Sequence, residues 1–152
     1  MKKTLLILSA GLLISLTGFS QKIIPDKIPA PVKQAFAKMF PSATAVKYMM
    51  EKKDYEVNFT DKGFEMSANF DATGKWLETE TGIKPEDLPK EVTASVARNF
   101  PGYKIAEVGK VEKPGTGFVY EMDLKKDKDG FEVQFSPTGD VLKKVPWKEE
   151  KD

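Results

Sequence analysis

The most informative feature of this sequence is an internal duplication. Residues 28–41 align with residues 88–101 at an offset of 60, and an Ile-Pro or Leu-Pro pair and a Phe-Pro pair stand at matching places. Farther along, Tyr55, Phe70 and Gly74 match Tyr120, Phe135 and Gly139 at an offset of 65. The change of offset places a five-residue insertion at 113–117. Prolines, glycines and aromatic residues that recur in one order indicate two copies of one structural unit.

Each copy predicts one helix followed by four strands. In the first, Val32, Phe36 and Phe40 fall on one helical face between Pro29 and Pro41. Alternating apolar runs then predict strands at 45–51, 55–59, 64–70 and 76–81, and their counterparts at 105–112, 118–124, 131–135 and 141–145. The predicted fold is α+β: two tandem α-β-β-β-β repeats, each an antiparallel meander covered on one face by one helix.

These units set the expected domain organisation. Repeat 1 is predicted at 21–84 and repeat 2 at 85–148, with a frayed tail at 149–152. Because a unit of about 60 residues with one helix is marginally stable alone, we expect the two repeats to form one body by sharing a sheet edge or packing their helices together.

The N-terminus has the pattern of a secretory signal peptide. Lys2 and Lys3 precede a mostly apolar stretch at 5–16, and a small-x-small pattern ends at Ser20, which predicts cleavage between Ser20 and Gln21. The apolar stretch is short for a membrane span, and no cysteine follows it for a lipid anchor. Residues 1–20 are therefore interpreted as a signal peptide of a periplasmic or secreted protein with no stable membrane anchor after cleavage. The alternative is an uncleaved N-terminal anchor.

Composition excludes several classes of function. The chain has no cysteine and no histidine, which excludes zinc fingers, thiol nucleophiles and Ser-His-Asp triads. Removing Lys2 and Lys3 with the signal peptide leaves 22 basic and 23 acidic groups, a net charge of −1. Nucleic-acid binders usually carry a basic excess, so no nucleic-acid partner is predicted, and no cofactor is predicted either.

The order of these motifs resembles the PepSY-like family, described as β-lactamase-inhibitor-like. The resemblance is carried by Ile-Pro…Phe-Pro, an aromatic-rich hairpin and the Phe-Asp-Ala-Thr-Gly-Lys-Trp run at 70–76. Residues 135–141 are a weaker copy of that run, with Ser136 in place of Asp71. The resemblance implies an exported bacterial protein of tandem helix-plus-sheet units. Members of the family have no established enzymatic activity, and the inhibitor description rests on architecture.

Candidate partner-binding residues lie on the predicted polar side of the strands. If the aromatic residues face the helices, four carboxylates share the opposite sheet face: Glu56, Glu65, Glu121 and Glu132. A glycosidase needs a carboxyl whose pKa is raised by burial. An exposed sheet face does not bury its carboxyls, so we expect a solvated polar face, no catalytic residues and no enzyme.

Trp76 and Trp147 are treated separately. With Leu77 and Leu142 facing inward, strand alternation places Trp76 on the polar face beside Glu78, where a tryptophan can anchor a protein interface. The alternative is that the strand alternates the other way and Trp76 belongs to the core. Trp147, near the C-terminus, is predicted to pack against the body of the domain.

The Asp-Lys-Asp-Gly run at 127–130 is similar to the start of a calcium loop, but the later ligands of that motif are missing. Asp-Gly between two strands is a strong hairpin signal. We therefore predict a turn here and no metal site.

The function predicted from sequence is a non-enzymatic exported binding module. Its open sheet face would bind an envelope or secreted protein, with or without inhibiting it, and the sequence does not give the identity of that protein. The alternative is a periplasmic protein that responds to a small ligand or cation through the acidic sheet face. A carboxylate hydrolase is a third hypothesis.

Overall fold

The computed structural model of the protein describes residues 21–51 and 53–147. The predicted signal peptide, the cleavage residue Ser20 and the predicted frayed tail lie outside the described residues. The elements of the first half are β1 (Gln21–Lys22), α1 (Ala30–Met39), β2 (Thr44–Glu51), β3 (Asp54–Asp61), β4 (Phe64–Phe70) and β5 (Trp76–Gly82). Those of the second are α2 (Lys90–Asn99), β6 (Lys104–Lys113), β7 (Gly117–Lys126), β8 (Asp129–Phe135) and β9 (Val141–Pro146).

The strands form a single antiparallel sheet in chain order, from β1 to β9. The two repeats meet where Thr79–Gly82 of β5 pairs with Gly109–Glu112 of β6. The expectation that the repeats share a sheet edge is therefore confirmed. The sequence analysis did not predict β1, which pairs only with Met49 and Met50 of β2.

Prolines delimit both helices. Pro29 and Pro89 lie immediately before α1 and α2. N–H groups at the start of a helix have no partner within the helix, so the N–H that proline lacks costs no hydrogen bond there. At the other end, the amides of Phe40 and Phe100 donate to the carbonyls of Phe36 and Val96, and a proline follows each. A short 3₁₀ turn, Pro25–Lys27 or Pro85–Asp87, precedes each helix. The sequence analysis had not predicted these turns.

Each helix packs on the same face of the sheet and forms its own apolar core. The first core joins α1 to β3 and β4 through Ile28, Val32, Phe36, Val57, Phe59, Ala68 and Phe70. The second joins α2 to β6, β7 and β8 through Leu88, Val92, Val96, Phe100, Val108, Met122, Leu124, Val133 and Phe135. Tyr55 pairs with Phe70, and Tyr120 with Phe135, at matching places in the two meanders. The predicted fold class is confirmed.

The recurring Thr-Gly pair marks a close approach between a turn and a helix. Gly74 and Gly139 have φ values of +81° and +89°. A Cβ atom on either would lie 2.5 Å from a helix carbonyl oxygen, that of Pro31 or of Glu91. Both the left-handed backbone and the contact require glycine, which is why glycine recurs in the duplication.

The two repeats also share a β-bulge at the start of their last strand. Glu78 pairs with Asn69 while Trp76 pairs with Phe70, so Leu77 is the extra residue. In β9, Lys143 pairs with Gln134 while Val141 pairs with Phe135, so Leu142 is the extra residue. A bulge changes which face the preceding residue occupies. The assumption that Leu142 faces inward is wrong, because its side chain is 55% exposed.

The predicted insertion lies in the β6–β7 hairpin. Strands β6 and β7 have ten residues each, whereas β2 and β3 have eight. The hairpin turns through Gly115 and Gly117, both with positive φ. The additional residues therefore lengthen one hairpin and leave the pairing of the cores unchanged.

Candidate functional site

The sheet face opposite α1 and α2 carries most of the polar strand residues, and we call it the polar face. Among the described residues, no helix packs against this face. Strand register places on it Glu56, Asn58, Glu65, Ser67, Asn69, Glu78, Glu80, Glu107, Glu121, Asp123, Glu132 and Gln134. The face predicted to carry the binding residues therefore contains all four predicted carboxylates.

The expectation that these four carboxylates are solvated is wrong for three of them. Glu56, Glu121 and Glu132 are only 5%, 7% and 7% exposed, while Glu65, near the β3–β4 turn, is exposed. No described helix covers these side chains, so the burial comes from neighbouring side chains that close around them. Strand alternation gives the face on which a side chain lies, and it does not give how densely that face is packed.

Carboxylates are concentrated at the centre of the polar face. We call the following seven the acidic cluster: Glu56, Glu78, Glu80, Glu107, Glu121, Asp123 and Glu132. One of them forms a salt bridge, with 3.0 Å between Lys113 Nζ and Glu78 Oε2. The cluster spans both repeats, since Glu56 belongs to β3 and Glu132 to β8.

Glu80 occupies the middle of the cluster, where the two repeats join. Its side chain extends from β5 over Gly109 of β6, and a Cβ atom at position 109 would lie 2.5 Å from Glu80 Oε1. Gly109 is in turn the pairing partner of Glu121 on β7. The missing side chain at 109 therefore makes room for Glu80 beside Glu121.

Burial and mutual repulsion change the proton affinity of this centre. Burial, reinforced by the neighbouring charges of Glu121, Glu78, Glu107 and Glu56, raises the pKa of Glu80 to about 7.

Burial also raises the pKa of Glu121 to about 7. The hydrogen bond from Gln134 and the charge of Lys113 act in the opposite direction, whereas Glu132 and Glu78 reinforce the rise. Both carboxyl groups are therefore partly protonated in the folded protein at neutral pH.

Side-chain amides separate the carboxylates. Gln134 Nε2 donates to Glu121 Oε2 at 2.5 Å, and Asn58 Nδ2 donates to Glu56 Oε1 at 3.1 Å. Asn69 Nδ2 donates to Glu78 Oε1, also at 3.1 Å. These donors hold the carboxylates in fixed orientations without adding positive charge.

Glu132 has an unsatisfied acceptor. Its Oε1 atom is buried and has no hydrogen-bond partner among the described residues. Burial raises the pKa of Glu132, Lys143 lowers it, and Asp123 raises it. A buried oxygen without a donor costs about 1 to 3 kcal/mol, so this position favours a proton or a donor from another molecule.

The two tryptophans lie on opposite faces. Trp76 packs against the first core, and its Nε1 donates to Thr79 Oγ1 at 2.9 Å. The placement of Trp76 on the polar face is therefore wrong, because the bulge at Leu77 reverses the alternation before Glu78. The core alternative is the correct one.

Trp147 is the tryptophan at the polar face. Its ring lies across Gly130, where a Cβ atom would collide with it. Its amide donates to the Gly130 carbonyl, and its Nε1 donates to Asp123 Oδ1 at 3.3 Å. The predicted packing of Trp147 against the domain is confirmed, and 37% of the residue remains exposed.

The Asp-Lys-Asp-Gly run forms the predicted turn between β7 and β8, with Asp127 at φ 54°. Within the described ranges, no group of three or more acidic residues is arranged to hold a metal ion. No described helix is long and apolar enough to cross a membrane.

Sequence reasoning omitted two residues at the centre of the face. Glu80 follows Glu78 by two positions on the same strand, so alternation after the bulge would have placed it on the polar face. Gly109 lies inside the predicted strand at 105–112, and a glycine inside a strand often marks a place where another group approaches the backbone closely. Pairing of β5 with β6 was needed to show that Glu80 makes that approach.

Several solved structures from Bacteroides share this fold. A BLIP-like protein from Bacteroides fragilis is 23% identical, with a TM-score of 0.74 over 86% of this chain and 92% of that chain. A DUF2874 family protein from Bacteroides ovatus is 24% identical, with a TM-score of 0.73 over 78% of this chain and 86% of that chain. A protein from Bacteroides eggerthii, described among "putative periplasmic proteins", is 23% identical, with a TM-score of 0.73 over 78% of this chain and 88% of that chain.

No curated protein is significantly similar to the chain in sequence. A family model does match, and its description is "Putative beta-lactamase-inhibitor-like, PepSY-like". It matches twice, at residues 17–67 and 53–143. The two matches together cover both cores and most of the polar face, and the chain belongs to this PepSY-like family.

Proposed function

We propose that this protein is a non-enzymatic exported binding module whose polar face binds a protein partner in the cell envelope. The observation that carries the proposal is the dense, carboxylate-rich polar face, which no described helix covers. The family is described as inhibitor-like and not as catalytic. Inhibition of the partner is accordingly the form of binding to be tested first.

Export is supported by the predicted signal peptide and by the description of the similar Bacteroides eggerthii protein. We expect the intact mass of exported protein to correspond to a chain that starts at Gln21. A mature protein that retains Met1 would contradict the assignment to the periplasm or the medium.

Position-specific photo-crosslinking tests the proposed face. A photoreactive amino acid is placed at Glu65, an exposed position on the polar face, and at Ala94, an exposed position on α2. We expect a discrete protein adduct in native cells from position 65 and none from position 94. The adduct is identified by mass spectrometry, and the purified partner is then assayed for binding and for loss of its own activity. Equal labelling from both positions would count against the polar face.

The alternative function is a small-ligand or cation response through the same face. It is favoured by the seven clustered carboxylates, two of which, Glu80 and Glu121, have a raised pKa at the centre of the face. Thermal melts with calcium, other divalent cations and envelope-derived small molecules separate the two functions. A large upward shift with one such ligand, together with no crosslinked partner, would favour the alternative.

A further inference from the structure

We propose that the polar face recognises an arginine-rich segment of its partner, whose guanidinium groups pair with Glu80, Glu121 and Glu132. This inference rests on the proposed function, because it names the chemistry of the partner that the polar face binds. Three features of the polar face support this partner: the charge of the cluster, the unsatisfied oxygen of Glu132 and the position of Trp147.

Charge complementarity requires a cationic partner. The acidic cluster has seven carboxylates; Lys113, paired with Glu78, lowers the pKa of Glu121, and Lys143 lowers that of Glu132, yet the pKa of both carboxyls remains raised. The charges that act on the Glu80 carboxyl are all acidic and all raise its pKa: Glu56, Glu78, Glu107 and Glu121. A positive group placed here would relieve repulsion that the folded protein otherwise retains.

Glu132 provides a second and independent reason. Glu132 is only 7% exposed, and its Oε1 has no hydrogen-bond donor among the described residues. Side-chain rotamers commonly change when a partner binds, so an incoming donor can reach this oxygen once the carboxylate turns outward. A guanidinium supplies several N–H donors in the plane that a carboxylate accepts.

Trp147 favours arginine over lysine. Its indole covers Gly130, its Nε1 donates to Asp123 beside the cluster, and 37% of the residue remains exposed. A guanidinium stacks on an aromatic face and is more weakly hydrated than an ammonium. Carboxylates beside an aromatic ring are therefore better matched to arginine.

Binding of such a segment would be linked to proton release. Because burial and the surrounding charges raise the pKa of both Glu80 and Glu121 to about 7, these groups carry protons part of the time in the free protein at neutral pH. A guanidinium stabilises the ionised form and displaces those protons. Affinity should therefore rise as pH increases from about 6 to about 8.

The test uses a synthetic peptide that repeats Arg-Gly-Ser, labelled with a fluorophore, and matched peptides with citrulline or lysine in place of arginine. Citrulline keeps the shape and removes the charge. At low salt and pH 8, we expect the wild-type protein to bind the arginine peptide about tenfold more tightly than the citrulline peptide and a few-fold more tightly than the lysine peptide. Calorimetry at pH 7, in buffers of different ionisation enthalpy, should show proton release only with the charged peptides.

Variants assign the effect to the cluster. The double variant Glu80→Gln/Glu121→Gln and the single variant Glu132→Gln should each lose most of the preference for arginine over citrulline. The control variant Glu86→Gln/Glu91→Gln removes two exposed carboxylates near the start of α2 and should bind as wild type. A melting curve checks that each variant is folded. The comparison of the arginine and citrulline peptides is made on the wild-type protein, so it holds whether or not the variants fold.

Equal affinity for the arginine and citrulline peptides would overturn the inference, as would an equal loss of binding in the control variant. These results would leave the proposed function standing if position 65 still crosslinks to a partner. If no partner were crosslinked but the arginine peptide were still clearly preferred, the proposed function would be contradicted. The preference of the polar face for arginine would stand.

Discussion

Glu80 extends across Gly109, and the space that a side chain at 109 would fill is taken by the Glu80 carboxylate. This contact joins β5 of the first repeat to β6 of the second at the centre of the polar face. The junction between the repeats is thus also the place where buried negative charge is concentrated.

The first prediction concerns that contact. Gly109→Ala should force the Glu80 side chain to move and should lower the free energy of unfolding by about 1 kcal/mol. In a Glu80→Ala background, the same substitution should cost much less, because the group that collides is gone. Chemical denaturation of the four proteins measures this coupling. Equal costs in both backgrounds would show that Glu80 does not occupy the space above residue 109.

The second prediction concerns pH. The carboxyls of Glu80 and Glu121 have their pKa raised from 4.5 to about 7 in the folded protein, so the folded state holds protons that the unfolded chain has already released. Their favourable contribution is complete below about pH 4.5 and is lost as pH rises through 7. From these two groups, the free energy of unfolding should fall by on the order of 5 kcal/mol between pH 5 and pH 8.

The double variant Glu80→Gln/Glu121→Gln checks this assignment. It should lose most of the pH dependence over that range and be more stable than wild type at pH 8, while the smaller contributions of Glu107, Asp123 and Glu132 remain. Glu65→Gln, at an exposed position on the same face, is the matched control and should keep the wild-type slope. A double variant that keeps the full slope would place the titration elsewhere in the protein.

The third prediction separates backbone strain from steric contact at the recurring glycines. Gly74→Ala and Gly139→Ala introduce both a disfavoured φ and a collision with a helix carbonyl, and each should destabilise the fold by about 3 kcal/mol. Gly63→Ala and Gly115→Ala have positive φ but no atom within 4 Å of the added Cβ. They should cost only about 1 kcal/mol. Equal losses at all four positions would mean that the helix contact contributes nothing.

The fourth prediction contrasts the two tryptophans. Trp76→Ala removes a side chain packed against the first core and should cost about 3 kcal/mol. Trp147→Ala removes a partly exposed ring and should cost about 1 kcal/mol, while weakening binding of the arginine peptide by several-fold. Urea denaturation and fluorescence anisotropy on both variants give the comparison. If the folded Trp76→Ala variant lost peptide binding while the Trp147→Ala variant kept it, the assignment of the two tryptophans to their faces would be reversed.

The duplication made the fold accessible from sequence. Repeated prolines located both helices, and the alternating apolar runs around Tyr55 and Phe70 and their copies located the strands of two hairpins. Trp76 was assigned the wrong face by strict alternation because a bulge at Leu77 inserts a residue, and no residue type in that run announces it. The strand β1 has only two residues, too few for a period to be recognised.

The candidate site was only partly accessible. Alternation placed Glu56, Glu121 and Glu132 on one face correctly, but their burial depends on contacts between strands far apart in sequence. Glu80 faces Glu121 only because β5 pairs with β6. Packing between strands that are far apart in sequence therefore determines which carboxyls are buried, whereas the local sequence pattern determines only the sheet face on which each side chain lies.

The strands of the sheet lie in the order in which the chain is made. Each strand finds its partner in the segment just before it, so a chain that emerges end-first from a ribosome or a translocation pore can build the sheet progressively, without waiting for distant sequence. Local pairing of this kind lowers the contact order and favours rapid folding. A further copy of the repeat could be added after β9 under the same rule, so the architecture is open to growth by tandem duplication.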